Sequence, residues 1–378
     1  MALKEPSFTI GIEEEYHLVD VNTRDLVAAP PGLISDCEKA LGDQVRPEFL
    51  RSQIEVGTRV CRSIAEARAE LARLRGTVVQ LAAGYGLAPI AAGTHPFGRP
   101  EAIEPTDKER YRSIARDLQL VVRQLATCGM HVHIGIEDNE LRIDLMNQAR
   151  YFLPHMLALS TSSPFWQGRD SGLKCYRLAV YDELPRTGLP GRFSGWQEYE
   201  QTIGVLIRSG VIEDASKIWW DLRPSASFPT LELRITDVCT LIDDAIAIAA
   251  VWLAIVHMLF RLRRSNQSWR MYPLLLLAEN RWRAQRYGVS GSLFDFGRGE
   301  LVGFASLVEE LLVLVRADAE ELGCTAEAAR ASLIASDGTS ADRQLACHAR
   351  GMADCADQRA AFESVVDLLI RETADQVS

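Results

Sequence analysis

Four short segments of the chain alternate between apolar and polar positions, the period of a strand whose successive side chains point to opposite faces. From Phe8 to Val19 the apolar side holds Phe8, Ile10, Ile12, Tyr16 and Leu18, with Glu14 the lone acid among them. Thr9, Gly11, Glu13, Glu15 and His17 hold the other side. In SQIEVGT, Ile54, Val56 and Thr58 oppose Gln53, Glu55 and Gly57. In GMHVHIGI, Met130, Val132, Ile134 and Ile136 oppose His131, His133 and Gly135. In TLELRITDV, Leu231, Leu233 and Ile235 oppose Thr230, Glu232, Arg234 and Thr236, and Val238 is out of phase. LAPIAAG is a further strand-like run.

Helices are announced by their starts. Ser63-x-x-Glu66, Thr106-x-x-Glu109 and Ser194-x-x-Gln197 read as capping boxes ahead of periodic apolar segments. The first helix should stop near Gly84 or Gly86 and the second near Gly129. A third periodic stretch follows Asp138, with a kink expected at Pro154. From about Asp243 the chain reads as almost wholly helical. Its most apolar run, Ala245 to Phe260, falls short of the 18 or so residues of a membrane span. Acid precedes that run and arginine follows it, which suits a buried helix and its dipole. Strands interspersed with helices predict an α+β fold, with helices on the outer face of a mainly antiparallel sheet. No repeat, low-complexity tract or long linker divides residues 1–378, so a single catalytic domain with a helical C-terminal third is expected.

Between Ser163 and Gly195 the chain is dense in Gly, Pro and Arg, the signature of a structured lid or binding loop. Composition narrows the partners. The 378 residues carry a formal charge of −10, with 47% hydrophobic and 24% charged residues, so the chain can bury a large core and lacks the clustered cations that duplex DNA demands. No nucleic-acid or membrane partner is expected. The N-terminal MALKEPSFTIGIEEEY has no apolar signal core, and the eight cysteines include no Cys-x-x-Cys pair. Both features predict a cytoplasmic protein with reduced thiols.

The polar faces of the four strands are chemically odd. Lysine is absent, glycines sit beside Glu and His, and carboxylates lie two residues apart. Acids crowded on one face repel unless a cation is bound. Glu13, Glu15, Glu55 and Glu232 are hard oxygen donors, and His131 or His133 adds one or two imidazoles; such a set suits Mg²⁺ or Mn²⁺ better than Zn²⁺. Magnesium typically bridges protein carboxylates and substrate phosphates, which makes an ATP site plausible, with Arg234 placed to neutralise a transferring γ-phosphate. The chain has no G-x-x-x-x-G-K-[ST], no G-x-G-x-x-G after a strand and no G-x-S-x-G, so metals and arginines would have to hold any nucleotide.

Taken in order, GIEEEY, QIEVGT, GMHVHIG and LELRITD make the chain resemble the glutamate–cysteine ligase type 2 family, and within it the YbdK-like carboxylate–amine ligase branch. GTHPF, the CYR and LPRTG pieces and TSADRQL extend the resemblance over nearly the whole chain. It implies a glutamine-synthetase-like fold, a curved sheet holding metals and ATP on its concave face, and a homodimer. It implies a carboxylate activated as an acyl phosphate and attacked by an amine, with L-glutamate the donor and L-cysteine the acceptor. By resemblance, Glu13, Glu15, Glu55, His131 and Glu232 match metal-binding positions, Arg234 matches the arginine acting on the γ-phosphate, and Glu55 and Arg234 carry catalysis. Related ligases can carry a different residue where His133 stands, so His133, like Trp220, is read as a neighbour that supports the metal positions.

Other positions have two readings. Arg223 contacts phosphate or a substrate carboxylate, or makes a surface ion pair. Arg177 and Arg186 clamp an amino-acid carboxylate, or are solvated. Thr94 and His95 line the amine site; Trp219 and Trp220 wall a pocket, or simply pack. Three other functions fit parts of the pattern: a metal-dependent hydrolase using His131-x-His133, a guanidino kinase, and a non-catalytic nucleotide or metal sensor.

Overall fold

In a computed structural model, which describes residues 4–107, 125–355 and 357–377, strand β1 (Ile10–Asp20) is the spine of the molecule. One edge of β1 bonds β3 (Gln53–Gly57), which bonds β2 (Val45–Pro47). Its other edge bonds first β5 (Met130–Gly135) and, further along, β4 (Leu87–Ile90). Beyond β5 come β7 (Thr230–Leu233) and β6 (Leu222–Pro224). This seven-stranded sheet is antiparallel throughout, in the order β6-β7-β5-β1-β3-β2, with β4 beside β1.

The alternation of the sequence becomes two faces. Ile10, Ile12, Tyr16, Leu18, Ile54, Val56, Met130, Val132, Ile134, Leu231 and Leu233 are all buried in one apolar cluster, where helices cover the sheet. Helix α1 (Pro31–Leu41) packs on α2 (Ile64–Ala83). Helices α3 (Asn139–Ala149), α4 (Leu153–Ser160), α5 (Arg177–Tyr181) and α6 (Trp196–Arg208) follow. The back third is α7 (Ile242–Arg264), α8 (Leu274–Tyr287), α9 (Phe304–Leu314), α10 (Arg316–Glu321), α11 (Thr325–Asp337), α12 (Ser340–Asp354) and α13 (Gln358–Ala374). A hairpin of Ser292–Asp295 with Glu300–Gly303 interrupts this helical third.

Helix α7 packs against α2, α3, α11 and β5. At 23 residues it is long and apolar enough to cross a membrane, but 89% of its apolar window is buried inside the protein. The acid on the apolar face, Glu14, is paired there: Arg75 of α2 donates to both of its oxygens at 2.6 and 3.1 Å, and neither side chain is accessible to solvent.

Helix starts follow local chemistry in part. Ser63 caps α2 by accepting from Glu66 N, and α2 ends at Ala83 with Gly84 as its cap. Asp138 caps α3 through Leu141 N. Pro154 kinks nothing; it lies in the first turn of a separate helix, α4, where its missing N–H is harmless. The Ser194 box is displaced by one residue: Glu198, and not Gln197, accepts from the backbone and hydroxyl of Ser194. The helix expected after Thr106 lies outside the described residues.

Candidate active site

The polar face of the sheet lines a cavity of about 380 Å³. Strand register brings its side chains together: Glu13 lies opposite His131 and Gly57, Glu15 opposite Glu55, and His133 opposite Glu232 and Gly11. Arg223 faces Glu232 on one side of the sheet, and Arg46 faces Glu55 on the other. Glu15 and Glu55, Glu13 and His131, and His133 and Glu232 are far apart in sequence, and antiparallel pairing makes them neighbours.

The acids form two groups. Ligand atoms of Glu15, Glu48 and Glu55 lie within 4.8 Å of one another, as do those of Glu13, His133 and Glu232. His131 joins the groups: its Nδ1–H donates to Glu13 at 3.1 Å, while Nε2 is 4.0 Å from Glu15. Glu48 was not among the residues read from the sequence. It follows the short edge strand β2 and belongs to no alternating run, so periodicity carries no signal for it.

The charges of this face are strongly perturbed. Burial, then the charge of Glu48, raises the Glu15 carboxyl to about 7. Burial, then the charges of Glu48, Glu13 and Glu15, pushes Glu55 well above the carboxylate range. Glu15 and Glu55, whose ionisation is opposed by burial and neighbouring charge, form with Glu48 a set of oxygen donors that fits a hard dication. Burial also works against ionised Glu13, but the hydrogen bond from His131 and the His133 imidazole 3.6 Å away hold it well below the usual range. Burial and the Arg234 charge lower His131 to about 4, leaving a neutral imidazole able to ligate. Burial opposes protonated His133, yet Glu13 and Glu232 raise it above its ordinary value.

Besides Arg46, three arginines line the cavity beside these acids. Arg223 donates to both oxygens of Glu232 at 2.9 and 3.1 Å. Arg234 also donates to Glu232, and to the Tyr181 hydroxyl at 3.3 Å; its Nε is buried without a hydrogen-bond partner among the described residues. Against the cost of burial, these two cations hold Glu232 far below the carboxylate range. A bulge aims Arg234: its N–H and that of Ile235 both donate to the Asp221 carbonyl. Arg177 is buried at the cavity wall and donates to the carbonyls of Arg234 and Ile235. Its guanidinium lies against Gly129 so closely that a β-carbon there would collide.

The remaining expected site residues divide between the cavity wall and its surroundings. Thr94 donates to the Phe165 carbonyl, and His95 binds the backbone of Phe97, Gly98 and Arg24, so both brace a buried turn. Arg186 stacks on Trp219 and donates to the Lys217 carbonyl. Trp219 lines the cavity, whereas Trp220 packs on Phe193 and Tyr199. Local composition marked these residues as chemically able; it could not show which way the turn would face.

A family model described as glutamate–cysteine ligase family 2 matches residues 9–364. A relative in Rhodospirillum rubrum, provisionally named glutamate–cysteine ligase 2, is 57% identical over 376 residues, covering 98% of this chain and 97% of its own. One in Jannaschia sp., with the same provisional name, is 53% identical over 365 residues, covering 97% and 96%. Among solved structures, the glutamate–cysteine ligase of Francisella tularensis in complex with AMP aligns at a TM-score of 0.69 and 11% identity, over 100% of this chain and 91% of that one. The bifunctional glutathione synthetase of Pasteurella multocida aligns at 0.70 and 14%, over 97% and 53%. At those identities the two structures speak for the fold, which is the glutamine-synthetase-like α+β type. With its matching strands, its paired acid groups and its sequence kinship over nearly full length, the chain belongs to glutamate–cysteine ligase family 2 and is a ligase of the carboxylate–amine type.

Proposed function

We propose that this ligase uses ATP and Mg²⁺ to join L-glutamate to an amine, with L-cysteine as the first acceptor to test. The observation that carries this reading is the pair of adjoining acid groups on one sheet face, opposed by arginines within one cavity. Glu15, Glu48 and Glu55 would hold one dication, and Glu13, His133 and Glu232 a second, with His131 able to serve either. Bound there, the metal supplies charge neutralisation for the phosphates.

In the proposed reaction a carboxylate oxygen of glutamate attacks the γ-phosphorus of ATP and ADP leaves. The amine nitrogen then attacks the acyl carbon, and phosphate departs from the tetrahedral adduct to leave an amide. Such chemistry needs alignment and charge stabilisation more than a protein nucleophile. Arg234, whose Nε has no partner among the described residues, would stabilise the transferring phosphoryl group. Arg223 would orient Glu232, and Arg177 would hold the wall facing the anionic substrates.

The test is ADP release with Mg²⁺, ATP and L-glutamate, adding candidate amines one at a time and identifying products by mass. Acceptor-dependent ADP release with a new amide mass is expected. A phosphorylated amine without amide would replace the reading with a kinase. Nucleotide binding without turnover, for every carboxylate and amine tried, would replace it with a sensor.

A further inference from the structure

Among the described residues Arg281 of α8 does not line the cavity, yet two walls of the cavity meet on it. Its guanidinium spans two carboxylates. Nε and Nη2 donate to Asp221 at 2.7 and 3.2 Å, and Nη1 and Nη2 donate to Asp182 at 2.6 and 2.8 Å. Asp182 directly follows α5, the helix that carries Arg177 and Tyr181 into the cavity. Asp221 is the residue whose carbonyl receives the bulged N–H groups of Arg234 and Ile235. One planar cation therefore fixes the distance between α5 and the strand end that bears Arg234. Within the cavity the same two elements touch again, through Tyr181 and Arg234 at 3.3 Å and through Arg177 and the Arg234 carbonyl at 3.2 Å.

We propose that Arg281 is a positioning residue: it sets the aim of Arg234, Arg177 and Tyr181 at the transferring group without touching it. The proposal rests on the ligase reading for its kinetic consequence. Its structural consequence stands alone, because a forked guanidinium can hold two carboxylates in one plane and a point-like ammonium cannot.

Arg281→Lys keeps the positive charge beside Asp182 and Asp221 but cannot span both, and Asp182→Asn releases only the more exposed end of the bridge. Both variants should fold. In each, kcat for acceptor-dependent ADP release should fall about 10- to 100-fold, the loss that a displacement of about 1 Å can cause. Affinity for Mg·ADP should change less than about 3-fold, since the acid groups lie largely on other strands. Hydrogen–deuterium exchange should speed up at residues 177–188 and stay unchanged in β1, β3 and β5. A lowered Tm with kcat intact well below Tm would show ordinary structural support and overturn the proposal. So would unchanged exchange at residues 177–188 in Arg281→Lys. If the wild type turns over no substrate, the ligase reading fails, and the exchange result alone judges Arg281.

Discussion

Glu55 shows what single residues carry in this protein. Its charge is disfavoured first by burial and then by Glu48, Glu13 and Glu15, so the metal-free face stores like-charge repulsion. Glu55→Gln should therefore raise Tm by a few degrees in chelator, while reducing ADP release at least 100-fold. Added Mg²⁺ should raise the Tm of the wild type more than that of the variant, since only a ligand bound to the native state stabilises it. Paired thermal melts with and without chelator check both signs. Glu48→Gln should behave in the same way, because Glu48 stands in the same group of acids. Equal Mg²⁺ responses in wild type and Glu48→Gln would remove Glu48 from the site. Gly129→Ala is a third test: the new methyl meets the Arg177 guanidinium, so turnover should fall without loss of the acid groups.

At the scale of elements, pairing decides what a helix or strand can hide. Glu14 sits on the apolar face of β1 only because Arg75 of α2 reaches it, with Tyr16 donating to the same carboxylate at 2.5 Å. Arg75→Met leaves that acid buried without its cation and should cost about 3–5 kcal/mol in urea unfolding. The double variant with Glu14→Gln should lose less than the sum of the singles. Helix α4 carries a buried titratable group, His155, which burial lowers to about 4 and whose Nδ1 has no hydrogen-bond partner among the described residues. A depressed histidine contributes stability that is complete above its unfolded pKa and is lost as pH falls toward the folded value. From pH 6.5 to pH 5 the wild type should lose about 2 kcal/mol more than His155→Gln, at about 1.4 kcal/mol per pH unit. Parallel pH slopes would remove His155 as a source of acid sensitivity.

Across the whole molecule the C-terminal helices reach back to the first strand. Phe362, Val365, Val366 and Leu369 of α13 pack on Val19 of β1 and on Ala88 and Ile90 of β4. Thr373 accepts from Ala91 N, and Arg24 after β1 pairs with Asp367. The end of the chain thus covers the end of the sheet, away from the acid groups. Leu369→Ala should destabilise the fold by about 2–5 kcal/mol. The folded fraction should keep its KM for ATP, because the lesion touches none of the cavity residues. A shift in KM larger than about 3-fold would mean that this layer reaches the site.

Much of this was legible one segment at a time. A period of two is a local property, so Glu13, Glu15, Glu55, His131, His133 and Glu232 could be assigned to polar faces from the sequence alone. So could the buried run of α7, from its composition and end charges. What local pattern does not contain is which strand lies beside which. Antiparallel register across 40 residues of chain brought Glu15 to Glu55, and across 99 it brought His133 to Glu232. It also set the two acid groups, and through burial it set their shifted titration. Glu48 and Arg281 carried no periodic signal because one follows a short edge strand and the other acts from a helix behind the cavity. Thr94, His95 and Arg186 had suitable chemistry but face backbone carbonyls and amides, since a turn takes its direction from what packs around it. The chemistry of each strand face is therefore written in the order of the residues. Which charges share a cavity, and which already have a partner, follows from the packing of the chain, because Coulomb interaction and desolvation depend on distance through space.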